Sequence, residues 1–319
     1  MATASIKTTE PAGFAEFRRV ERDLWDLYDL QPDERLVELD NGRVVRIHEV
    51  GEGKPVLLVH GTGGPGVYFA PLVKELAPTF RCILMDRPGW TLSSPIDYSD
   101  GDFGTIISDL QGQLLTSLDI DRAHLVGGSI GNLFALRFAL NHPDRVGNIV
   151  LNGASPVEGL TPPTFLRILR TPIGQVIVRI PQKPAMIRNQ MAGLGHAKSL
   201  EQGIIPAEFI AMKAAESKYT DALKNERGLV RAVIARKGFR AGITLTKAQC
   251  AAIQAPTLMI YGNDDPTGSK QVFEDFMASL PNGRIAFTPD SGHLPWYDRP
   301  HDVGSLTVSH LQTATKRSA

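Results

Sequence analysis

The chain has 319 residues, 42% of them hydrophobic and 21% charged, an ordinary globular composition that argues against a disordered or fibrous protein. Its 34 Lys+Arg balance 34 Asp+Glu, so no net field draws nucleic acid or an anionic membrane, and a small neutral or weakly charged molecule is the expected partner. Two cysteines, Cys82 and Cys250, supply neither a disulfide framework nor a metal-ligand cluster.

Met1 to Gly13 contain no basic segment leading into an apolar run, so no secretory signal is expected. Apolar stretches such as Val146 to Leu151 and Ile173 to Ile180 fall short of the roughly 20 residues that cross a bilayer. A cytoplasmic protein without stable membrane insertion is the expectation. Phe14 to Leu30 place Phe14, Phe17, Leu24, Trp25, Leu27 and Tyr28 at helical spacing. This predicts a helix docked on the main body, with a lid, a dimer contact or a membrane-surface role as rival readings.

Arg35 to Leu39, Asp40-Asn41-Gly42 and Arg43 to Val50 read as a hairpin with a two-residue Asn-Gly turn. Val56-Leu57-Leu58-Val59 is a continuous apolar run of the kind buried on both faces of a sheet. Helices and strands then alternate: Val67 to Leu76, Arg81 to Asp86, Phe103 to Leu118, Ala123 to Gly127, Ile130 to Asn141 and Val146 to Leu151. That alternation predicts a doubly wound α/β architecture with a mostly parallel sheet. Between Ser155 and Ile253 prolines break the rhythm into helical segments, too long for a loop. Pro256 to Tyr261 resumes the strands, followed by a helix Lys270 to Leu280, a strand Arg284 to Phe287 and a last helix from Pro300. Residues 1–34 are therefore expected to form an N-terminal helical extension. Residues 35–154 with 254–319 form the core domain, and 155–253 an inserted helical cap.

Val126-Gly127-Gly128-Ser129-Ile130-Gly131 carries an apolar strand directly into a glycine-flanked serine and then into a helix. Such a turn exposes the hydroxyl beside a helix N-terminus, and glycine is favoured two residues to either side. A serine hydroxyl needs a base, and an imidazole held by a carboxylate supplies one. Of eight histidines, His293 follows directly on a strand and comes after the acid candidates. Tyr261-Gly262-Asn263-Asp264-Asp265-Pro266 offers two aspartates; Asp265 is favoured, and Asp264 then forms the turn. The amides of Thr62, in His60-Gly61-Thr62-Gly63-Gly64, and of Ile130 would hold the oxyanion. A phosphate-binding reading of the first glycine-rich loop fails because the Lys-Ser/Thr ending is missing.

Together the His60-Gly61 loop, Asp86-Arg87-Pro88-Gly89, the Ser129 elbow, Gly262-Asn263-Asp264-Asp265-Pro266 and Gly292-His293-Leu294-Pro295-Trp296 resemble the α/β-hydrolase superfamily over Arg35 to Leu311. The resemblance places the acid three residues after the strand-end glycine, at Asp265. Thr91 stands where a second glycine is usual, and Asn132 where a small residue usually follows the elbow. Ser129 argues against the haloalkane dehalogenases and epoxide hydrolases of this fold, which use aspartate there. Carboxylesterases, lactonases, carbon–carbon bond hydrolases, haloperoxidases and proline iminopeptidases look alike at the triad.

The expected reaction is hydrolysis of a carboxylic ester or lactone through an acyl-enzyme, without metal or organic cofactor. A carbon–carbon bond hydrolase acting on a keto-enol acid, which needs a cap arginine near Ser129, is the first alternative. A proline iminopeptidase and a non-catalytic receptor or scaffold follow. The cap, with Phe165, Leu166, Leu169, Ile173, Val176, Ile177 and Met186, is expected to roof an apolar pocket. His60, Gly61, Trp90 and Trp296 complete the candidate substrate contacts. Arg167, Arg170 and Arg188 read as solvated surface, with carboxylate binding as the rival. A homodimer is left open.

Overall fold

The computed structural model describes residues 10–99 and 101–313. The expectations for residues 1–9 of the N-terminal extension and 314–319 of the core domain lie outside the described residues. The elements run α1 (Phe14–Leu27), β1 (Asp33–Glu38), β2 (Val44–Val50), β3 (Lys54–Val59), α2 (Ala70–Leu76), β4 (Phe80–Met85), α3 (Phe103–Ser117), β5 (Ala123–Gly128), α4 (Ile130–Asn141) and β6 (Val146–Asn152). Seven helices follow: α5 (Thr164–Leu169), α6 (Pro172–Ile177), α7 (Pro184–Met191), α8 (Ala197–Glu201), α9 (Ala207–Tyr219), α10 (Ala222–Val233) and α11 (Lys247–Ala252). The chain then closes with β7 (Thr257–Gly262), α12 (Lys270–Ala278), β8 (Gly283–Thr288), α13 (Pro295–Asp298) and α14 (Pro300–Gln312).

The strands form one sheet in the order β1-β2-β4-β3-β5-β6-β7-β8. β1 to β2 and β2 to β4 are antiparallel, and every other pairing is parallel. This is a doubly wound α/β-hydrolase fold. Val56, Leu57, Leu58 and Val59 have no exposed surface, because successive side chains enter opposite layers. Leu57 and Val59 pack with α3 and α4, while Val56 and Leu58 pack with α1, α2 and α14. The β1–β2 hairpin departs from the two-residue turn expected. Leu39 N–H still donates to Arg43 O at 2.8 Å, leaving three residues in the loop, with Gly42 left-handed at φ 75. No helix among the described residues is long and apolar enough to cross a membrane.

Helix α1 buries Phe14, Phe17, Val20, Leu24 and Trp25 and packs against α9. It also lowers Glu21 onto Arg46 of β2, a guanidinium with no exposed surface. Arg46 pairs with Glu21 at 2.5 Å, Glu34 at 2.9 Å and Asp86 at 3.1 Å. Asp86 in turn accepts from Gly66 N–H at 2.7 Å and from the Thr91 hydroxyl at 2.5 Å. Thr91 has φ 50, unusual for a β-branched residue, and this hydroxyl bond accounts for threonine where glycine is usual. Replacing Arg46 with Met leaves the buried carboxylates of Glu21 and Asp86 without their cation, while Glu34 keeps Arg18, so Arg46→Met is expected to lose about 3–5 kcal/mol in denaturant unfolding. Unchanged stability would show that the cluster is not held by its central cation.

Candidate active site

Strands β3, β5, β6, β7 and β8 are parallel neighbours, so the loops leaving their carboxyl ends meet along one edge of the sheet. Ser129 lies there between β5 and α4, at φ 53 and ψ −118. A non-glycine residue in such a conformation costs of order 1–3 kcal/mol. The flanking glycines let the surroundings hold it. A Cβ on Gly131 would lie 1.9 Å from Val59 O, and one on Gly127 2.6 Å from Asn132 N. Asn132 explains its own departure from a small residue. Its Oδ1 accepts from Asn152 N–H at 3.2 Å, and its Nδ2 donates to Asn152 O and Gly153 O at 3.1 and 3.2 Å. The side chain thus ties the elbow to the end of β6.

From the loops after β7 and β8, Asp265 and His293 come together, with His293 Nδ1 2.9 Å from Asp265 Oδ2. The carboxylate is fixed on its other sides by Ala154 N–H at 3.1 Å and by the Thr267 amide and hydroxyl at 2.9 and 2.5 Å. Burial alone would raise the Asp265 pKa, but the charge and hydrogen bond of His293, with the Thr267 bonds, hold it below the ordinary value. For His293 burial works downward, and the Asp265 charge and hydrogen bond outweigh it, leaving the pKa raised. The neighbouring Asp264 is exposed and uses its amide to bond Ser291 O at 2.8 Å.

The loop after β3 rests on the elbow, since a Cβ on Gly61 would lie 3.0 Å from Ser129 Cβ. Thr62 is half-buried in this loop. Ile130 opens α4, where the first N–H groups have no partner within the helix. His60, expected at the substrate, is instead 1% exposed with both ring nitrogens engaged. Its Nε2 accepts from Arg87 N–H at 2.8 Å, so Nδ1 carries the proton and donates to Gly61 O at 2.9 Å. Burial, then the Arg87 charge, push its pKa far down, in keeping with a neutral ring. Arg87 donates to His60 O and Gly61 O, each at 2.9 Å, and pairs with Glu226 of α10 at 3.0 Å.

Trp90 and Trp296 are likewise buried. Trp90 Nε1 donates to Glu226 at 2.7 Å, and Trp296 Nε1 donates to Tyr68 O at 2.7 Å. Both brace the loops from beneath and leave no ring face for a ligand. Leu169 is packed into the core and Leu166 half-buried against it, whereas Phe165 is 45% exposed. These three therefore do not form one apolar roof.

Several contributors were not singled out from sequence. Thr267 follows Asp265 by two residues, the spacing at which an aspartate bonds a backbone amide ahead of it, so a signal existed. Lys213 of α9 donates from Nζ to Gly63 O at 2.6 Å and lies 5.1 Å from the Tyr68 ring centroid; burial lowers its pKa. Buried Glu216, one turn on, accepts from Tyr68 Oη at 2.9 Å, and burial pushes its pKa up to about 7. His196 ends a π-helical turn, Ala192–His196, and pairs with Asp298 at 2.8 Å. These two accept the amides flanking His293: Asp298 takes Gly292 N–H at 2.8 Å and His196 Nε2 takes Leu294 N–H at 3.1 Å. Neither pairing has a local sequence signal. Among the described residues no cluster of three or more His, Cys, Asp or Glu is placed to hold a metal ion.

Residues 56–305 match the model of the alpha/beta hydrolase family. The chain belongs to that family. Among similar proteins of this hydrolase family, one named 2-hydroxy-6-oxononadienedioate/2-hydroxy-6-oxononatrienedioate hydrolase 1, from Pseudomonas putida, is 35% identical over 84% of this chain and 91% of its own length. Another, a 2-hydroxy-6-oxo-6-phenylhexa-2,4-dienoate hydrolase from Burkholderia cepacia, is 24% identical over 86% of this chain and 92% of its own. The solved structure of carboxylesterase CesB from Bacillus subtilis superposes with a TM-score of 0.70 at 18% identity, covering 95% of this hydrolase and 99% of that chain.

If His293 is the base, it acts in its neutral form, so aryl-ester hydrolysis should rise with pH through an apparent pKa above the ordinary value of about 6.5. In Asp265→Asn the carboxylate's upward pull is gone. The inflection is expected to move down and kcat to fall by about 10⁴. A pH–rate profile that Asp265→Asn leaves unmoved would separate His293 from the chemistry.

Proposed function

We propose that this chain is a carbon–carbon bond hydrolase of keto-enol acids, with Ser129 as nucleophile, His293 as base, Asp265 orienting the imidazole, and the Thr62 and Ile130 amides holding the oxyanion. The observation that carries this over simple ester hydrolysis is Lys213, whose ammonium reaches the very loop that bears the Thr62 amide. Sequence reading asked for a cap arginine near Ser129; we offer Lys213 of α9 in its place, because it bonds Gly63, two residues from the Gly61 that packs on Ser129. The names of the relatives support the same class, each being a hydrolase of a 2-hydroxy-6-oxo-type dienoate or dienedioate. This moves the reading from ester hydrolysis, the first expectation, to its alternative.

In such a substrate a carboxylate and an enol lie at one end and a ketone at the other. Lys213 would take the carboxylate. Ketonisation of the enol turns the carbon chain into an electron sink. Ser129 Oγ then attacks the distant carbonyl as His293 takes the hydroxyl proton, and the oxyanion forms against the two amides. Collapse breaks the bond between that carbonyl carbon and the chain, the electron pair passes into the conjugated system, and His293 returns the proton. Water, activated by His293, releases the acyl group as an acid. An ester offers the same carbonyl to the same groups, so ester turnover is a natural side reaction. We take residues 155–253 as a cap over this site, supported by Lys213 and by Glu226 at Arg87.

The test compares a vinylogous 1,5-diketone acid with a short aryl ester in Lys213→Ala. Losing the charge-assisted contact to a carboxylate is expected to cost about 1.5–3 kcal/mol, a drop of roughly 10- to 150-fold in kcat/KM for the acid, with the uncharged ester little affected. Equal losses on both substrates, or no turnover of the diketone acid by the unmodified enzyme, would sink this reading.

A further inference from the structure

The balanced net charge hides a local asymmetry on α5, α6 and α7. No acidic residue occurs between Glu158 and Glu201. Within that segment Arg167, Arg170, Arg179, Lys183 and Arg188 form no ion pair and no side-chain hydrogen bond among the described residues. Arg18, Arg19 and Lys74, by contrast, meet carboxylates. The same segment carries seven of the nine large hydrophobic side chains that are exposed among the described residues, including Ile173 at 67%, Val176 at 60% and Ile180 at 54%. Several of these were expected to roof a pocket; the fold leaves them exposed.

Soluble surfaces scatter apolar side chains singly, so seven exposed ones in a single acid-free segment call for an occupant, and the five unpaired cations beside them in sequence give its charge. We propose that the α5–α7 face docks the protein on an anionic lipid surface, with the isoleucine and valine side chains entering the headgroup–acyl boundary and the cations meeting lipid phosphates. Aliphatic residues with Lys and Arg on short amphipathic helices are the composition that lies in such an interface. Charge selects the occupant. A second copy joined through the same face about a twofold axis would set five unpaired cations against five, whereas an anionic bilayer neutralises them all. The inference stands apart from the hydrolytic reading and needs no spanning helix.

Sedimentation with phosphatidylcholine vesicles, with and without phosphatidylglycerol, tests it on the full chain. Binding is expected only with phosphatidylglycerol, and release in 1 M salt, where the screening length is about 3 Å. Arg179→Gln with Lys183→Gln should lower the bound-to-free ratio about fivefold per cation, roughly 25-fold for the pair. Ile180→Asp should weaken binding by at least a comparable factor. All variants should keep their circular dichroism and aryl-ester turnover. Equal sedimentation with pure phosphatidylcholine, or none with phosphatidylglycerol, would overturn the proposal. So would a dimer in equilibrium sedimentation that Ile180→Asp dissolves, or binding to polyglutamate without binding to vesicles.

Discussion

A serine held at φ 53 and ψ −118 persists only where its surroundings leave the chain no cheaper alternative, and the loops of this protein converge on that constraint. Glycine on either side lets Val59 and Asn132 close in, and Asn132 binds the elbow to the end of β6. From there Ala154 reaches Asp265, and Asp265 reaches His293. The strained turn and the Asp265–His293 pair are therefore positioned by one continuous set of hydrogen bonds at the carboxyl edge of a parallel sheet, so movement of β6 would disturb both.

The helical insertion is fastened to this edge through several polar contacts, most of them buried. Glu226 meets Arg87 beneath the His60–Gly61 loop, Lys213 meets Gly63, and His196 with Asp298 grips the amides on either side of His293. Buried ion pairs add little net stability because desolvation offsets attraction. Their hydrogen-bond geometry nevertheless restricts how the pieces can sit. Arg46, surrounded by Glu21, Glu34 and Asp86, extends the same arrangement to α1. The N-terminal helix is thus tied through Asp86 to the two loops holding Gly66, after β3, and Thr91, after β4, in addition to its apolar packing on α9.

Much of this was legible in the residues because its physics is local. A run such as Val56 to Val59 must be buried on both faces, and Gly127, Ser129 and Gly131 describe a turn that few other sequences can make. Asp265 and His293 follow their strands directly, so strand order alone brings their loops together. What escaped notice depends on packing across long stretches of chain. Lys213 is 150 residues from Gly63 and resembles any helical lysine. His60 and Trp90 look like ligand contacts until Arg87 and Glu226 are seen to occupy them. In α5 to α7 the helices are short and apolar on more than one side, so apolar content does not indicate which side meets the core, and Phe165 and Ile173, expected over a pocket, are exposed.

The proposed hydrolysis requires Ser129 to be an activated nucleophile, and covalent capture reads that property without any choice of substrate. A fluorophosphonate reacts with a serine whose hydroxyl proton is removed by a neighbouring base, and intact mass with peptide mapping locates the adduct. One phosphonyl group per chain on the Ser129 peptide, lost in His293→Ala while the fold remains, is the result expected. An unlabelled protein, an adduct on another serine, or labelling that His293→Ala leaves intact would contradict the assignment of this site.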